Sequence, residues 1–284
     1  MILVTGANGT VGSEVIRALV ARGAPVRALV RAPEKAAGLA EQGVEVAIGD
    51  LEDRASLSAA LVDVDRAFLV TSIPPNQVEI QGNFVEAASA AGVEHIAKLS
   101  VYRCSHDLPV EFVQWHSQTE QLIEDSGMEW THIRPNNFFQ NLHFSADSIR
   151  NDGVFYGTSG DVRISSIDVR DIGAVTATVL TEPGHGRSSL ELTGPAGLTQ
   201  PEIASALAGA RGAPVEYVDL PVETLVEGMV RAGIPEYLAV DLGCLYRTFT
   251  DETHGVVTST VEDVTGTPPR SIADFAGDHA AAFS

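Results

Sequence analysis

A glycine-spaced turn between a short apolar run and an amphipathic stretch constrains this chain more than any other feature. Met1-Ile2-Leu3-Val4 reads as a buried strand, and Thr5-Gly6-Ala7-Asn8-Gly9-Thr10-Val11-Gly12 follows it directly. A helix is expected over Thr10–Arg22, with Val11, Val15, Ile16, Leu19 and Val20 on one face. Gly6 permits a tight turn, Gly9 lets backbone approach a diphosphate, and Gly12 lets the helix pack close to the strand. The helix start adds unpaired N–H groups and a partial positive charge, which suit phosphate. A lone glycine pattern is weak evidence. Here it lies between strand and helix, ahead of a strand–helix repeat, which is the context a dinucleotide site requires. Gly6, Asn8, Gly9, Thr10, Val11 and Gly12 are therefore the expected phosphate cradle.

The repeat sets the fold class. Strands are expected at Ile2–Thr5, Pro25–Val30, Val44–Ile48, Arg66–Val70, His95–Leu99 and Trp130–Ile133. Between them lie amphipathic stretches such as Asn76–Ala91 and Phe112–Ser126, with glycines 23, 43, 92 and 127 placed to end helices. This predicts an α/β fold, a Rossmann-type doubly wound parallel sheet covered on both faces. After Pro135 the rhythm breaks. Helices are expected at Phe138–Arg150, Val169–Leu180, Pro201–Ala208, Val222–Ala232, Tyr237–Phe249 and Ile272–Phe283. Short strands are expected at Val162–Ser165, Ser189–Leu192 and Val215–Val218. Residues 1–150 thus read as a dinucleotide-binding domain and residues 151–284 as a smaller, mainly helical substrate-binding lobe, some of whose segments return to the sheet.

Composition narrows the class of function. Thirty-eight acidic against 18 basic residues give a net charge of −20, which repels phosphate backbones, so nucleic acid is not an expected partner. No apolar run approaches the roughly 18 to 20 residues of a membrane span. No positively charged lead precedes the first strand, so no secretory signal is expected. Two cysteines, Cys104 and Cys244, suggest neither a disulfide framework nor a zinc site, and a reducing cytoplasm is the expected location. Asp168, Asp171 and His185 show no metal-ligand spacing and read as caps and solvated groups.

The end of the second strand bears on which dinucleotide is bound. A NAD-preferring site places an acid there for the ribose 2′-hydroxyl. Here the strand ends at Arg31, which can pair with a 2′-phosphate, and Lys35 lies four residues on. NADP(H) is expected over NAD(H), although a solvated strand-end arginine would read the same way. Asp50 and Leu51, after the third strand, are placed to meet the adenine. Thr71, Ser72 and Ile73 follow the fourth strand and Ser100 the fifth, at the carboxyl edge where ligands of such sheets gather.

The usual acid of short-chain dehydrogenases, Tyr-x-x-x-Lys, is missing. The tyrosines are Tyr102, Tyr156, Tyr217, Tyr237 and Tyr246, and none has a lysine four residues on. On the helix after the fifth strand the chain reads Phe112-Val113-Gln114-Trp115-His116. The run His116-Ser117-Gln118-Thr119-Glu120 through Gly127, then Trp130-Thr131-His132-Ile133-Arg134-Pro135 and Phe138-Phe139-Gln140-Asn141, resembles the NmrA-like family of atypical short-chain reductases. Gly43-Val44-Glu45-Val46, Gly49-Asp50-Leu51 and Ala232-Gly233-Ile234-Pro235-Glu236 extend the likeness over nearly the whole chain. Within that family it is most similar to the NADPH-dependent quinone oxidoreductase and triphenylmethane-dye reductase branch.

The resemblance implies hydride transfer to an acceptor that is already electrophilic and needs little general acid. It places Pro135, Asn137 and Phe138 beside the nicotinamide. His116 is the expected proton donor or substrate-orienting group, since imidazole titrates near neutrality, with Tyr102 as the fallback acid. Trp115, Phe112 and Asn141 are expected to line the substrate. The expected partner is a small-molecule electron acceptor, with a homodimer left open. A redox sensor that binds NADP(H) without turnover, acting through a protein partner, is the alternative from another class. A carbonyl or enone reductase of a biosynthetic pathway is the alternative within the first.

Overall fold

The computed structural model describes residues 1–284, apart from the side chain of Ala37. Nine strands form: β1 (Ile2–Val4), β2 (Val26–Val30), β3 (Glu45–Ile48), β4 (Arg66–Leu69), β5 (His95–Leu99), β6 (Glu129–Pro135), β7 (Val154–Gly157), β8 (Ser188–Leu192) and β9 (Glu216–Asp219). Seven make one parallel sheet in the order β3-β2-β1-β4-β5-β6-β8, and β7 pairs with β9 in a separate parallel pair. The order reverses at β1, where successive crossovers run first to one side and then to the other. That switch opens a crevice at the carboxyl edge.

Each face of the sheet has its own core. Val4, Ala28, Phe68 and Ile133 pack against Val11, Val15 and Leu19 of the Thr10–Ala21 helix and Ile172, Val175 and Val179 of the Val169–Thr181 helix. Gly173 brings these helices together, since a Cβ there would lie 2.9 Å from the Glu14 backbone. On the other face Leu3, Leu69 and Ile96 pack against Leu57, Phe84 and Ile123. Alternate strand residues are apolar toward both faces, as a parallel sheet buried on both sides requires. Gly92 ends the Gln77–Ala91 helix at φ +80°, a conformation that L side chains rarely adopt.

The second half differs from the sequence reading in several places, including unexpected short helices at Asp251–His254 and Thr260–Thr265. The helix expected over Phe138–Arg150 is two pieces, a 3-10 segment Phe139–Ser145 and an α-helix Ala146–Asp152. The strand at Val154–Gly157 carries no period of its own and exists because Glu216–Asp219, some 60 residues on, supplies its partner. The expected strand at Val162–Ser165 is only an isolated bridge between Ile164 and Leu198. Ile272–Phe283 divides into Ile272–Asp278 and Ala280–Phe283. The Val169–Thr181 helix and β8 belong to the main sheet layer, so the chain leaves that layer after β6 and returns to it. A third core of Phe139, Phe155, Ile203, Leu207, Phe275 and Phe283 holds the remaining lobe. Among the described residues no helix is long and apolar enough to cross a membrane.

Candidate active site

The first strand ends in a polar stitch. Thr5 is buried, and its Oγ1 donates to Val70 O and accepts from Val70 N, both at 2.8 Å. This pins the start of the glycine turn to the end of β4. Gly6 then turns at φ +55°, and Gly9 N donates to Gly6 O at 2.8 Å. A Cβ on Gly12 would overlap Gly6 O and lie 2.8 Å from Gly6 C, so helix and turn touch backbone to backbone. Gly9 is the N-cap of the Thr10–Ala21 helix and offers no side-chain cap. The first-turn N–H groups are therefore open to an anion. Asn8 Nδ2 donates to Lys35 O at 3.2 Å, which ties the cradle to the loop bearing exposed Arg31 and Lys35. A cradle that a Cβ would fill, an uncapped helix start and two exposed cations beside it fit a dinucleotide with an extra phosphate.

The other cofactor candidates fall along the same edge. Asp50 is half-buried and accepts from Glu52 N at 3.1 Å, while Asp53 caps the next helix; Leu51 is half-buried beside it. Thr71 Oγ1 accepts from Gln81 Nε2 at 2.7 Å, Ser72 is exposed, and Ile73 O accepts from Tyr237 Oη at 2.8 Å. Ser100 Oγ is buried at the end of β5 without a protein partner, as are both amide atoms of Gln77 and Oε1 of Gln81. Buried polar atoms left this way call for a ligand or water. Pro135 ends β6 opposite Leu192. Asn137 Nδ2 donates to Ser166 Oγ at 3.1 Å, and Asn141 Nδ2 donates to Asn137 Oδ1 at 2.9 Å. Asn136 caps no helix. Its buried amide donates to Ser165 Oγ and His254 O, pinning the C-terminal segment to β6.

A cavity of about 890 Å³ opens at Asn137 and Phe138 and runs into the C-terminal lobe. Phe155, Met229, Tyr246 and Phe249 give it an apolar, aromatic wall, and Phe144 and Tyr156, both exposed, also border it. Asn141 borders it; Phe112 and Trp115 do not. Phe112 is buried with Val110 and Val113, with Trp115 packed beside them, under Leu238, Leu242 and Leu245. Asp241 fastens the same contact, accepting from Glu111 N at 2.8 Å and Phe112 N at 2.7 Å. The two aromatics are the seat of the Glu236–Tyr246 helix rather than substrate walls, because that helix covers them.

His116 is corrected in the same way. It is 7% exposed and accepts at Nδ1 from Lys98 Nζ at 2.7 Å. Burial, and then the Lys98 charge, push its pKa well below the ordinary histidine value, which disfavours the protonated form that a proton donor needs. It lines no part of the cavity. Tyr102 also stands outside the cavity, edge-on to His254 at 5.8 Å. Burial, and then the Glu191 carboxylate, raise its pKa, the reverse of what an activated acid needs.

Sequence reasoning passed over the group that decides the state of His116. Lys98 is fully buried, and burial pushes its pKa down to about 8 against the opposing pull of Glu120. Burial alone would raise Glu120, but the Arg134 guanidinium, bonded to both its oxygens at 3.0 and 2.6 Å, holds the carboxyl below its usual value. The available signal was a lysine in the middle of the apolar run His95-Ile96-Ala97-Lys98-Leu99. The cavity walls at Leu225, Met229, Tyr246 and Phe249 were also missed. For Leu225 and Met229 the available signal was the apolar stripe Val222, Leu225, Val226 and Met229 on the Val222–Arg231 helix.

Comparison with known proteins places this geometry. The model of the NmrA-like family matches residues 1–268. The chain belongs to the NmrA-like family. It is 42% identical over 283 residues to the NAD(P)H azoreductase of Xenophilus azovorans, covering 100% of this chain and 99% of the other. Its structure is similar to that of the Escherichia coli NADPH-dependent quinone oxidoreductase complexed with NADPH, with a TM-score of 0.88, 31% identity and coverage of 98% and 99%. The Citrobacter sp. triphenylmethane reductase complexed with NADP(H) gives a TM-score of 0.85 at 26% identity, with the same coverage.

Proposed function

We propose that this NmrA-like protein is an NADP(H)-dependent reductase that acts in the cytoplasm on a conjugated small-molecule acceptor of the quinone or dye kind. The observation that carries this reading is the apolar cavity at Asn137 and Phe138, on the same sheet edge as the glycine cradle. The family relatives with quinone, azo and dye names, two of them solved with NADPH or NADP(H), support it. When bound, the reduced cofactor supplies the hydride. Gly6, Gly9 and Gly12 shape the diphosphate seat, with Asn8, Thr10 and Val11 completing the loop, and Arg31 with Lys35 receives the 2′-phosphate. Asp50, Leu51, Thr71, Ser72, Ile73 and Ser100 border the crevice. Pro135, Asn137 and Phe138 hold its nicotinamide end beside the acceptor. Aromatic walls exclude water and orient a flat acceptor, which is where catalysis by positioning comes from. No acid is needed at the moment of transfer, and the acceptor's oxygen or nitrogen afterwards takes its proton from water. The azoreductase, quinone oxidoreductase and triphenylmethane reductase names of the relatives favour turnover over the regulatory alternative.

The test is NADPH oxidation, followed by absorbance, with a panel of quinones, azo dyes and enones. Turnover of quinones or dyes is expected; a silent panel with cofactor binding confirmed by calorimetry would overturn the reductase reading. Arg31→Ala is expected to lower the ratio of NADP⁺ to NAD⁺ affinity by about 10-fold or more, the loss of a charge-assisted pair. An unchanged ratio would remove Arg31 from the 2′-phosphate site.

A further inference from the structure

The cavity wall has an unusual charge pattern. The chain carries 38 acidic residues, yet among the described residues none lines the cavity. One charged residue does, Arg231, at the end of the Val222–Arg231 helix. Its only ion pair among the described residues is with Glu227, one turn back, at 3.6 Å, with both side chains 70% exposed. A pair that long and that wet contributes little and is readily exchanged for a better partner. Gln200, Thr224 and Ser159 add neutral polar atoms to the wall, and aromatic and aliphatic groups make up most of the rest.

We infer that the acceptor is a flat conjugated molecule bearing an anionic substituent, a sulfonate, carboxylate or phosphate, which Arg231 receives at the cavity rim. This rests on the reductase reading and narrows its substrate class. The physical reasons are two. A protein of net charge −20 repels an anion at long range, so an anionic acceptor needs a local cation, and the cavity rim offers Arg231, whose acidic neighbour Glu227 holds it only through a long, exposed pair. Guanidinium also matches the planar or trigonal oxygen array of such groups with parallel N–H bonds. Arg231 lies on a helix of the C-terminal lobe, whereas Asn137 and Phe138 follow β6 at the sheet edge. An acceptor spanning the cavity would therefore present its conjugated end to the hydride and its charged end to solvent.

The experiment compares 1,4-naphthoquinone with its 2-sulfonate in the wild type, Arg231→Ala, Arg231→Lys and Arg187→Ala. Arg187 is an exposed arginine outside the cavity, paired with Glu129, and its loss removes the same unit of charge. The readout is the ratio of kcat/KM for the sulfonate to that for the neutral quinone, so intrinsic differences between the two quinones cancel across variants. In R231A the ratio is expected to fall about 10-fold, through KM for the sulfonate rather than kcat, the mark of lost binding common to ground and transition states. R231K is expected to recover part of it, and R187A to leave the ratio as in the wild type. Turnover of both quinones with the same ratio in R231A and wild type, or an equal fall in R187A, overturns the anion subsite and leaves the reductase reading standing. Failure to turn over either quinone or any member of the acceptor panel, with cofactor bound, overturns the reductase reading itself and the subsite with it.

Discussion

Gly12→Ala is expected to lower the affinity for NADP⁺ by about 100-fold or more, roughly 3 kcal/mol, and to destabilise the fold by about 1–3 kcal/mol. The added methyl would overlap Gly6 O, a backbone atom held in place by the Gly9 hydrogen bond and by the Thr5–Val70 stitch. Neither side can yield without moving the helix start away from β1, and with it the N–H groups that face the phosphates. Gly209→Ala is the control. Gly209 lies inside the Gln200–Arg211 helix, and a Cβ there meets nothing within 4 Å, so alanine is expected to stabilise by about 0.5–1 kcal/mol. Calorimetric titration and urea unfolding of the two variants measure both effects. A Gly12→Ala protein that binds NADP⁺ within threefold of wild type would show that the turn does not hold the diphosphate.

Acidification from pH 6.5 to 4 is expected to destabilise the protein by several kcal/mol. His95 is buried against Thr131 Oγ1 at 2.9 Å, and burial, then the Arg66 charge, push its pKa down to about 4. His254 is buried under Phe249, ring centroids 4.0 Å apart, and burial, then Arg103, push its pKa down to about 4 as well. His116 shifts in the same direction. In each case the folded-state pKa lies below the unfolded one, so the unfolded chain binds protons first. Stability is then highest above about pH 6.5 and falls as the pH drops toward 4. A shift from 6.5 to about 4 corresponds to roughly 3 kcal/mol per histidine, large against the roughly 5–15 kcal/mol of a typical fold. The net charge of −20 pulls the other way, because protonation relieves self-repulsion. Urea unfolding between pH 7.5 and 4 decides between them. A decline that is about half as steep in a His95→Gln, His254→Gln double variant is expected; stability that is level or rises on acidification would show that charge relief outweighs the buried imidazoles.

What was legible in the sequence is what is local. The cradle lies within Thr5–Gly12, and its three glycines act on one another across six residues, so spacing alone reveals them. The parallel sheet was legible because central strands such as Ile2–Val4 and Arg66–Leu69 are mostly apolar toward both faces and helices such as Thr10–Ala21 carry a 3.6-residue stripe. The strand at Val154–Gly157 was not, since its only reason to be extended is a partner distant in the chain. Arg31 could be read from the end of β2 because a strand end and its following loop are contiguous.

The state of His116 and the identity of the cavity walls were decided only by tertiary structure. A histidine on a helix after the fifth strand suggests an acid, but whether it titrates near neutrality depends on solvent. Here the fold buries the ring and sets the Lys98 ammonium, 18 residues earlier, against it. The cavity gathers Asn137, Phe155, Arg231 and Phe249 from four separate elements and loops that lie far apart in the chain. Sequence by itself determined that this chain binds a dinucleotide-like ligand on a doubly wound sheet, because hydrogen-bond geometry and glycine sterics act between near neighbours. Desolvation and cavity shape are sums over groups that meet only when the chain has folded, and those sums opened the cavity at Phe138 and buried His116.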